Sequence, residues 1–170
     1  FRAAAEGLNA VIVNPSIIIG KNAGKEGSGQ LFEAIRNGLN YFPGGSSGYV
    51  DVADVAKTMI LLMESNFSDE RFIINSENLT YKEFFSSIAQ KFGKEPPAIA
   101  LKPWMMYTAW LVSRLITFLT GKRFGLSSET VRSAFEKHSY SNEKIKKALN
   151  FNFKSVDESI SEICLHLKNS

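Results

Sequence analysis

Length, composition and charge exclude several classes of protein for this chain. Its 170 residues, 44% of them hydrophobic, are enough to bury the core of one domain or slightly more. The net charge of +3 comes from scattered basic residues and predicts no nucleic-acid partner. A single cysteine, Cys164, excludes an intrachain disulfide and indicates the reducing cytoplasm.

The chain opens on a segment with the composition of a helix end. Residues 1–7 combine good helix formers with a final glycine, and no capping residue precedes them. We therefore expect the chain to begin inside a helix and to be a fragment of a longer protein.

Residues 8–20, LNAVIVNPSIIIG, predict a buried strand and the loop at its carboxyl end. Residues 11–13 are apolar without alternation, which is typical of a parallel strand covered by helices on both faces. Pro15 has no N–H group to donate, so it must lie where the ladder of hydrogen bonds stops. Because ligands in open α/β sheets bind outside the carboxyl ends of strands, residues 14–19 are the first candidate for a binding site. An ordinary core strand with its turn is the alternative.

A glycine-rich loop, GKNAGKEGSG, follows at residues 20–29. Its spacing excludes a phosphate-binding P-loop, because Gly20 and Gly24 enclose three residues rather than four and Glu26 replaces the Mg²⁺-binding Ser or Thr. We expect a mobile loop in which Ser28 caps a helix over residues 29–38. The N-terminus of that helix can also receive an anion such as a cofactor phosphate, so Ser28 is either a cap or a cofactor contact.

Residues 41–55, YFPGGSSGYVDVADV, predict a short strand, a Pro-Gly-Gly-Ser-Ser-Gly turn and a second short strand, followed by a helix. Asp51 or Asp54 is expected to cap this helix, which runs to about residue 65. The apolar positions at helical spacing predict a buried stripe of Ala56, Met59, Ile60 and Met63, widened by Val55 and Leu62.

Another strand and helix follow at residues 71–75 and 81–92. Thr80 and Glu83 have the spacing of a capping box, and the helix behind them carries an apolar face. Because strands and helices alternate along this part of the chain, we expect a partly parallel α/β sheet.

The most hydrophobic segment covers residues 103–120. Its length is close to that of a membrane span, but Arg114 near its middle and several hydroxyl groups argue against one. We expect a helix that is apolar on two sides, with Trp104 and Tyr107 on one face, packed between layers or roofing a pocket.

Residues 121–170 are more polar and predict three helices. They run from Ser127 or Ser128 to Phe135, over residues 143–149 behind a cap at Ser141 or Asn142, and onwards from Ser155. The last has an apolar stripe of Val156, Ile160, Ile163, Cys164 and Leu167. His138 and His166 have no ligand partners at metal-binding spacing, so no metal site is predicted.

Together these segments resemble the C-terminal half of an extended short-chain dehydrogenase/reductase. The superfamily is that of the NAD-dependent epimerase/dehydratases, and its dihydroflavonol-4-reductase-like branch is most similar. The likeness lies in the order and spacing of LNAVIVNPSIIIG, GSGQLFEAIRNG, YFPGG, GYVDVADVA, RFIINSENLTYKEF, IAQKFGKEPP and YSNEKIKKALNF. It implies an α/β fold: part of a Rossmann-type doubly wound parallel sheet, with a small, mostly helical substrate-binding domain.

The resemblance also implies a division of the chain and an activity. The Rossmann part would take residues 1–78, with 21–47 contributing to the substrate domain, and residues 79–170 would form the rest of that domain. The implied protein is an NAD(P)-dependent carbonyl or alcohol reductase, or a nucleotide-sugar epimerase/dehydratase-like enzyme, using NADP or NAD on a small-molecule substrate. A non-catalytic nucleotide-sensing or scaffold protein of the same fold is the alternative.

No catalytic residue is expected in this chain. The family's glycine-rich fingerprint, its catalytic Ser or Thr and its Tyr-x-x-x-Lys pair precede the matching part, so a missing N-terminal half would supply them. Tyr140 and Lys144 fit the pair by letter, but they lie beyond the core strands and are expected to be a packing element. Family members often dimerise through the helix of the pair, so a homodimer is compatible with the resemblance.

Four residues are candidates for cofactor contacts by this resemblance. Pro15, Ser16 and Ile17 match the family's strand-end loop, which lies against the nicotinamide, and Ser28 is the weaker match. Ala53 stands where the family frequently has Arg, which is a departure of this chain from the family pattern.

Overall fold

The computed structural model describes residues 10–22, 27–108 and 128–169. Its strands are β1 (Val11–Pro15), β2 (Ile17–Ile19), β3 (Tyr41–Phe42), β4 (Ser46–Asp51), β5 (Glu70–Ile74), β6 (Glu77–Thr80) and β7 (Ile99–Ala100). Its helices are α1 (Ser28–Arg36), α2 (Val52–Met63), α3 (Tyr81–Lys91), α4 (Ser128–Ser133), α5 (Glu143–Leu149) and α6 (Val156–Asn169). Residues 103–108 are also helical. The predicted helix end at residues 1–7 and most of the hydrophobic segment lie outside the described residues.

The strands form three small sheets that are mostly parallel. β1 pairs with β5 in parallel, from Val11 opposite Glu70 to Pro15 opposite Ile74. β4 lies between β2, which is parallel to it, and β6, which is antiparallel. β3 and β7 form a short parallel pair. The predicted α/β fold is thereby confirmed.

The chain crosses between the two larger sheets at two neighbouring points. Only Ser16 separates β1 from β2, and only Asn75 and Ser76 separate β5 from β6. The Ser16 N–H donates to the Ile74 carbonyl at 3.0 Å, and the Ser76 N–H donates to the Tyr49 carbonyl at 2.9 Å. We call Ser16 the first crossing and Asn75–Ser76 the second crossing. They place the ends of β1 and β5 side by side.

β4 contributes to both hydrophobic clusters of the described residues. Tyr49 belongs to a cluster with side chains of α1, α3 and α6, and the adjacent Val50 belongs to one with α2, α5 and β5. Successive side chains of a strand point to opposite faces, so the two clusters lie on the two sides of β4.

Several predicted elements are confirmed. The Thr80–Glu83 capping box begins α3, whose Phe84, Phe85 and Ile88 are buried. α5 has the predicted bounds. The predicted stripe of α6 is buried at Val156, Ile160, Ile163 and Cys164 and packs at Leu167.

The predicted buried face of α2 is confirmed at Val55 and Leu62 and is wrong at the four other positions of the stripe. Ala56, Met59, Ile60 and Met63 are exposed, with 84% of Met63 accessible, whereas the buried residues are Asp54, Val55, Thr58 and Leu62. Apolar residues occur on both faces of this helix, so their spacing does not select the buried one. The polar members are tolerated because Asp54 and the Thr58 hydroxyl both have hydrogen-bond partners.

The predicted cover on both faces of β1 is also wrong for the described residues. Val11 and Val13 pack against the cluster that contains Val50, but Ile12 is 37% exposed and Asn14 is exposed. α2 covers only the side of Val11 and Val13, and no described element covers the other.

Trp104 and Tyr107, at the start of the hydrophobic segment, are exposed in the structure. Residues 109–120 of that segment lie outside the described residues. In the part of the chain that is described, none of the helices combines the length and apolarity needed to cross a bilayer.

Candidate functional site

The candidate site lies where the parallel strands β1 and β5 end together. Pro15 is opposite Ile74 as the last pair of their ladder, as expected for a residue without an N–H group. The carboxyl ends of parallel strands are where open α/β sheets bind ligands. We call Pro15, Ser16, Ile17 and the second crossing the strand-end site.

Pro15 and Ser16 present different groups at this site. Pro15 is exposed, whereas Ser16 is half-buried. The Ser16 N–H is bonded to the Ile74 carbonyl at 3.0 Å, and its hydroxyl approaches the same oxygen at 3.4 Å. A bond of 3.4 Å is long for a hydroxyl donor, so this group can turn to a ligand at little cost.

Ile17 takes part mainly through its backbone. It pairs with Tyr49 in the parallel ladder of β2 and β4, and its side chain packs against the cluster that contains Tyr49. Only its main chain is therefore suited to contact a bound molecule.

Ser28 is not the cap that was predicted. Gly27 occupies the N-cap of α1 with a φ of 51°, which favours glycine, and no side chain caps the helix. Ser28 is instead the first helical residue and is half-buried. Pro15, Ser16 and Ile17 thus lie together between the end of β1 and the start of β2, whereas Ser28 lies at the start of α1.

Residues 140–142 are hydrogen-bonded to the second crossing and to Asn78. The sequence analysis did not predict this contact. The Asn75 and Asn78 side chains donate to the Tyr140 carbonyl at 3.2 and 2.9 Å, and the Tyr140 N–H donates to Asn78 Oδ1 at 3.0 Å. The Asn142 side chain donates to the carbonyls of Asn75 and Ser76. No local pattern in the sequence predicts this contact, because its partners are more than 60 residues apart in the chain.

Lys144 is engaged elsewhere, as expected for a packing element. Its ammonium group is paired with Glu70, donates to the Arg71 carbonyl at 3.0 Å and lies 4.8 Å from the centre of the Phe72 ring. Tyr140 and Lys144 thus hold the end of the chain against β5 and β6.

Apart from the strand-end site, a concave region of about 560 Å³ lies at the ends of β2 and β4. Lys154 is paired with Glu162 and lies 3.7 Å from the Asp51 carboxylate, and Lys21 binds Glu162 at 2.9 Å. Hydrogen bonds from Lys154 and then Lys21 lower the pKa of Glu162 to about 2. Burial acts to lower the pKa of Lys154, but the Glu162 hydrogen bond and nearby carboxylates outweigh it and raise the pKa. Lys21 and Lys154 are thus each paired with a carboxylate of this cleft.

Nucleophilic and metal chemistry find little support in the described residues. Burial raises the pKa of the Cys164 thiol to about 11, so the thiol is protonated at neutral pH. Within residues 10–22, 27–108 and 128–169, no group of three His, Cys, Asp or Glu side chains is arranged to hold a metal ion.

Comparison with known proteins gives structural matches only. No family model and no curated protein matches the sequence. A nucleoside-diphosphate-sugar epimerase from Pseudomonas aeruginosa matches 99% of the chain with a TM-score of 0.78 and 19% identity. RMD from the same organism, solved with NADPH, matches 99% at 0.65 and 12%. UDP-glucose 4-epimerase from Thermus thermophilus, solved with NAD, matches 99% at 0.67 and 17%.

The chain has the fold of these structures. It spans about half of their length, namely 51%, 51% and 49% of the three chains. At these identities the likeness establishes the Rossmann-like architecture, and the chemistry must be argued from the residues of the chain.

Proposed function

We propose that this chain is the C-terminal part of an NAD(P)-dependent oxidoreductase or epimerase/dehydratase-like enzyme. In this proposal residues 1–78 complete the cofactor domain, with 21–47 contributing to a substrate domain formed mainly by residues 79–170. The observation that carries the proposal is the strand-end site, where exposed Pro15 and the adaptable Ser16 hydroxyl lie at the joint carboxyl end of two parallel strands.

The residues of the strand-end site fit the amide end of a nicotinamide cofactor. A carboxamide needs both an acceptor and a donor, and the Ser16 hydroxyl can serve as either. Pro15 offers a flat apolar surface that can lie against the ring, and Ile17 offers backbone groups. When bound, the cofactor would supply or accept the hydride at a carbonyl or alcohol carbon. Ser28, at the uncapped start of α1, is proposed as a further contact.

A longer polypeptide is part of the proposal. The second edge of β1 has no strand partner among the described residues. Val11 and Val13 of β1 and Met59 and Met63 of α2 line an open groove of about 520 Å³. A two-stranded sheet is rarely stable alone, so a further α/β unit is expected on this side. That unit would carry the family's glycine-rich loop and its catalytic Ser or Thr, Tyr and Lys.

Similarity to solved structures of twice the length supports this arrangement. We propose NADP or NAD as the cofactor, a small-molecule substrate, the dihydroflavonol-4-reductase-like branch and a cytoplasmic location. A homodimer formed through the helix of the catalytic pair is compatible with it.

Cofactor binding by the complete protein tests the proposal. We expect NADPH or NADH to bind, and Ser16→Ala to weaken the better one by about fivefold, as for the loss of one hydrogen bond. Pro15→Ala should weaken it as well. Ser86→Ala is the matched control, because Ser86 is also half-buried but lies in α3.

Affinity that is unchanged in Ser16→Ala and Pro15→Ala would contradict the assignment of the site. Binding without turnover of any carbonyl or nucleotide-sugar substrate would instead favour the nucleotide-sensing or scaffold protein.

A further inference from the structure

We infer that Asn142 is a positioning residue of the strand-end site. Its side-chain amide holds the second crossing, and the Ile74 carbonyl directly before that crossing orients Ser16. The inference rests on the proposed function in so far as Ser16 faces a cofactor, whereas the positioning itself can be measured without one.

Asn142 binds two consecutive carbonyl groups of the second crossing. Its Nδ2 donates to the Asn75 carbonyl at 2.7 Å and to the Ser76 carbonyl at 3.1 Å. Both N–H bonds of the amide are thus used on the segment where the chain leaves one sheet for the other.

The carbonyl that orients Ser16 precedes these two directly. Ile74 O accepts the Ser16 N–H at 3.0 Å and the Ser16 hydroxyl at 3.4 Å. Peptide units are planar and turn only about φ and ψ, so fixing the carbonyls of Asn75 and Ser76 restricts how the Ile74 carbonyl can turn. Asn142 therefore acts on Ser16 through the Ile74 carbonyl.

The side-chain amide of Asn142 does not cap the helix that follows it. Asn142 occupies the N-cap of α5, a position at which asparagine commonly binds the first turn of its own helix, yet it makes no such bond. The Ser141 hydroxyl accepts the Glu143 N–H at 3.4 Å instead. The Asn142 side chain is thus directed to the crossing rather than to its helix.

Asn142 also lies at the start of a helix, α5, that is held in place by burial and by polar contacts. Ile145 of α5 is fully buried beside β5 and α2, and Lys144 is bound to Glu70 and the Arg71 carbonyl. Asn142 can therefore hold the crossing against a fixed helix.

The contact requires a donor. Asn142→Asp keeps the side-chain volume and remains a good N-cap, but it removes both N–H bonds and places a negative charge beside two carbonyl oxygens. Asn142→Ala removes the donor without adding charge, and serves if the first variant does not fold. Ser141→Ala is the matched control, because it removes the neighbouring cap bond and leaves the crossing intact.

Amide hydrogen exchange of the complete protein tests the positioning directly. We expect exchange at the Ser16 and Ser76 amides to rise about tenfold or more in Asn142→Asp or Asn142→Ala, as for the loss of one or two hydrogen bonds. Ser141→Ala should leave both rates unchanged, as should amides of α3 in every variant. Unchanged exchange at Ser16 in both Asn142 variants would overturn the inference.

A double-mutant cycle on the Kd of NADPH, or of NADH where it binds better, tests the consequence for the site. Asn142→Ala should weaken the cofactor several-fold in the native background, but by less than twofold in the Ser16→Ala background, because its effect passes through Ser16. Additive effects would overturn the inference. If the unmodified protein binds neither cofactor, the proposed function fails, while the exchange experiment still decides the role of Asn142.

Discussion

The main-chain N–H of Lys154 donates to the Asp54 carboxylate at 2.7 Å, although 100 residues separate them in the chain. Asp54 is 4% exposed and lies in the first turn of α2, and Lys154 precedes α6. This bond connects the segment before α6 to α2. α6 packs in the cluster that contains Tyr49, and α2 packs in the cluster that contains Val50.

Removing this acceptor should destabilise the fold. We expect Asp54→Ala to lower the free energy of unfolding by about 2 kcal/mol, because the half-buried N–H of Lys154 loses its buried carboxylate acceptor. Urea denaturation measures the change. Glu95→Ala, at an exposed acid for which the structure has no ion pair or hydrogen bond in its described part, should stay within about 0.5 kcal/mol. Equal stability of both variants would contradict the role of Asp54.

Removal of the Tyr49 hydroxyl should not lower the free energy of unfolding, in contrast to removal of the Asp54 carboxylate. Tyr49 is fully buried, its ring stacks on Phe84 with centroids 4.0 Å apart, and its hydroxyl has no hydrogen-bond partner among the described residues. Burial, followed by the proximity of Tyr81, raises the pKa of this hydroxyl, so it stays neutral.

Tyr49→Phe should therefore leave the free energy of unfolding unchanged or raise it by up to about 1 kcal/mol, since a buried polar atom without a partner carries a cost. Tyr49→Ala should lower it by about 3 to 5 kcal/mol through the cavity it leaves. A clear loss of stability in Tyr49→Phe, measured by urea denaturation, would mean that the hydroxyl has a partner.

Glu162 should make stability depend on pH and salt. Its pKa is held at about 2, below its ordinary value of 4.5, by hydrogen bonds from Lys154 and Lys21. The lowered pKa means that its stabilising effect is present above about pH 4.5 and is lost as the pH falls towards 2. Because Glu162 is exposed, 0.5 M salt should weaken the effect.

An NMR titration of Glu162 measures this shift. Lys154→Met should raise the pKa of Glu162 towards 4.5, whereas Lys57→Met, at a lysine of the same cleft, should leave it unchanged. A Glu162 carboxyl that titrates near 4.5 in the unmodified protein would refute the ion-pair geometry.

The start of α3 depends on its capping box. The Thr80 hydroxyl accepts the Glu83 N–H at 3.2 Å, and the Thr80 N–H donates to the Glu83 carboxylate at 2.8 Å. Thr80→Ala should lower the free energy of unfolding by about 1 kcal/mol, while Thr80→Ser should largely retain it. Thermal denaturation of both variants, with Ser86→Ala inside the same helix as the control, measures the contribution of the cap.

The pKa of Glu83 adds a second readout of this cap. The backbone and then the side-chain hydrogen bond from Thr80 lower it from 4.5. Its contribution is therefore present above about pH 4.5 and fades as the pH falls below that value. The difference between the native protein and Thr80→Ala should shrink in acid, and a difference that does not change with pH would contradict the box.

Only those features of the candidate site that follow from the chemistry of a single residue could be predicted from the sequence. The missing N–H of Pro15 is a property of its ring, and the end of β1 at Pro15 follows from it. The partner of Ser16, by contrast, is the Ile74 carbonyl at a separation of 58 residues, which no local pattern encodes. The prediction that Ser28 is the cap failed because a glycine just before it takes the same position.

By itself, the sequence determined the elements that depend on neighbours a few residues away. The capping box of Thr80 and Glu83, the bounds of α5 and the stripe of α6 are local, since hydrogen bonds and side chains repeat within one or two helical turns. Tertiary structure alone decided which face of α2 is buried, that Ile12 is left partly exposed, and that Asn142 reaches Asn75 across 67 residues. Each of these depends on contacts between segments that are distant in the chain. A helix with apolar residues on both faces, or a single asparagine, carries no information about its partner.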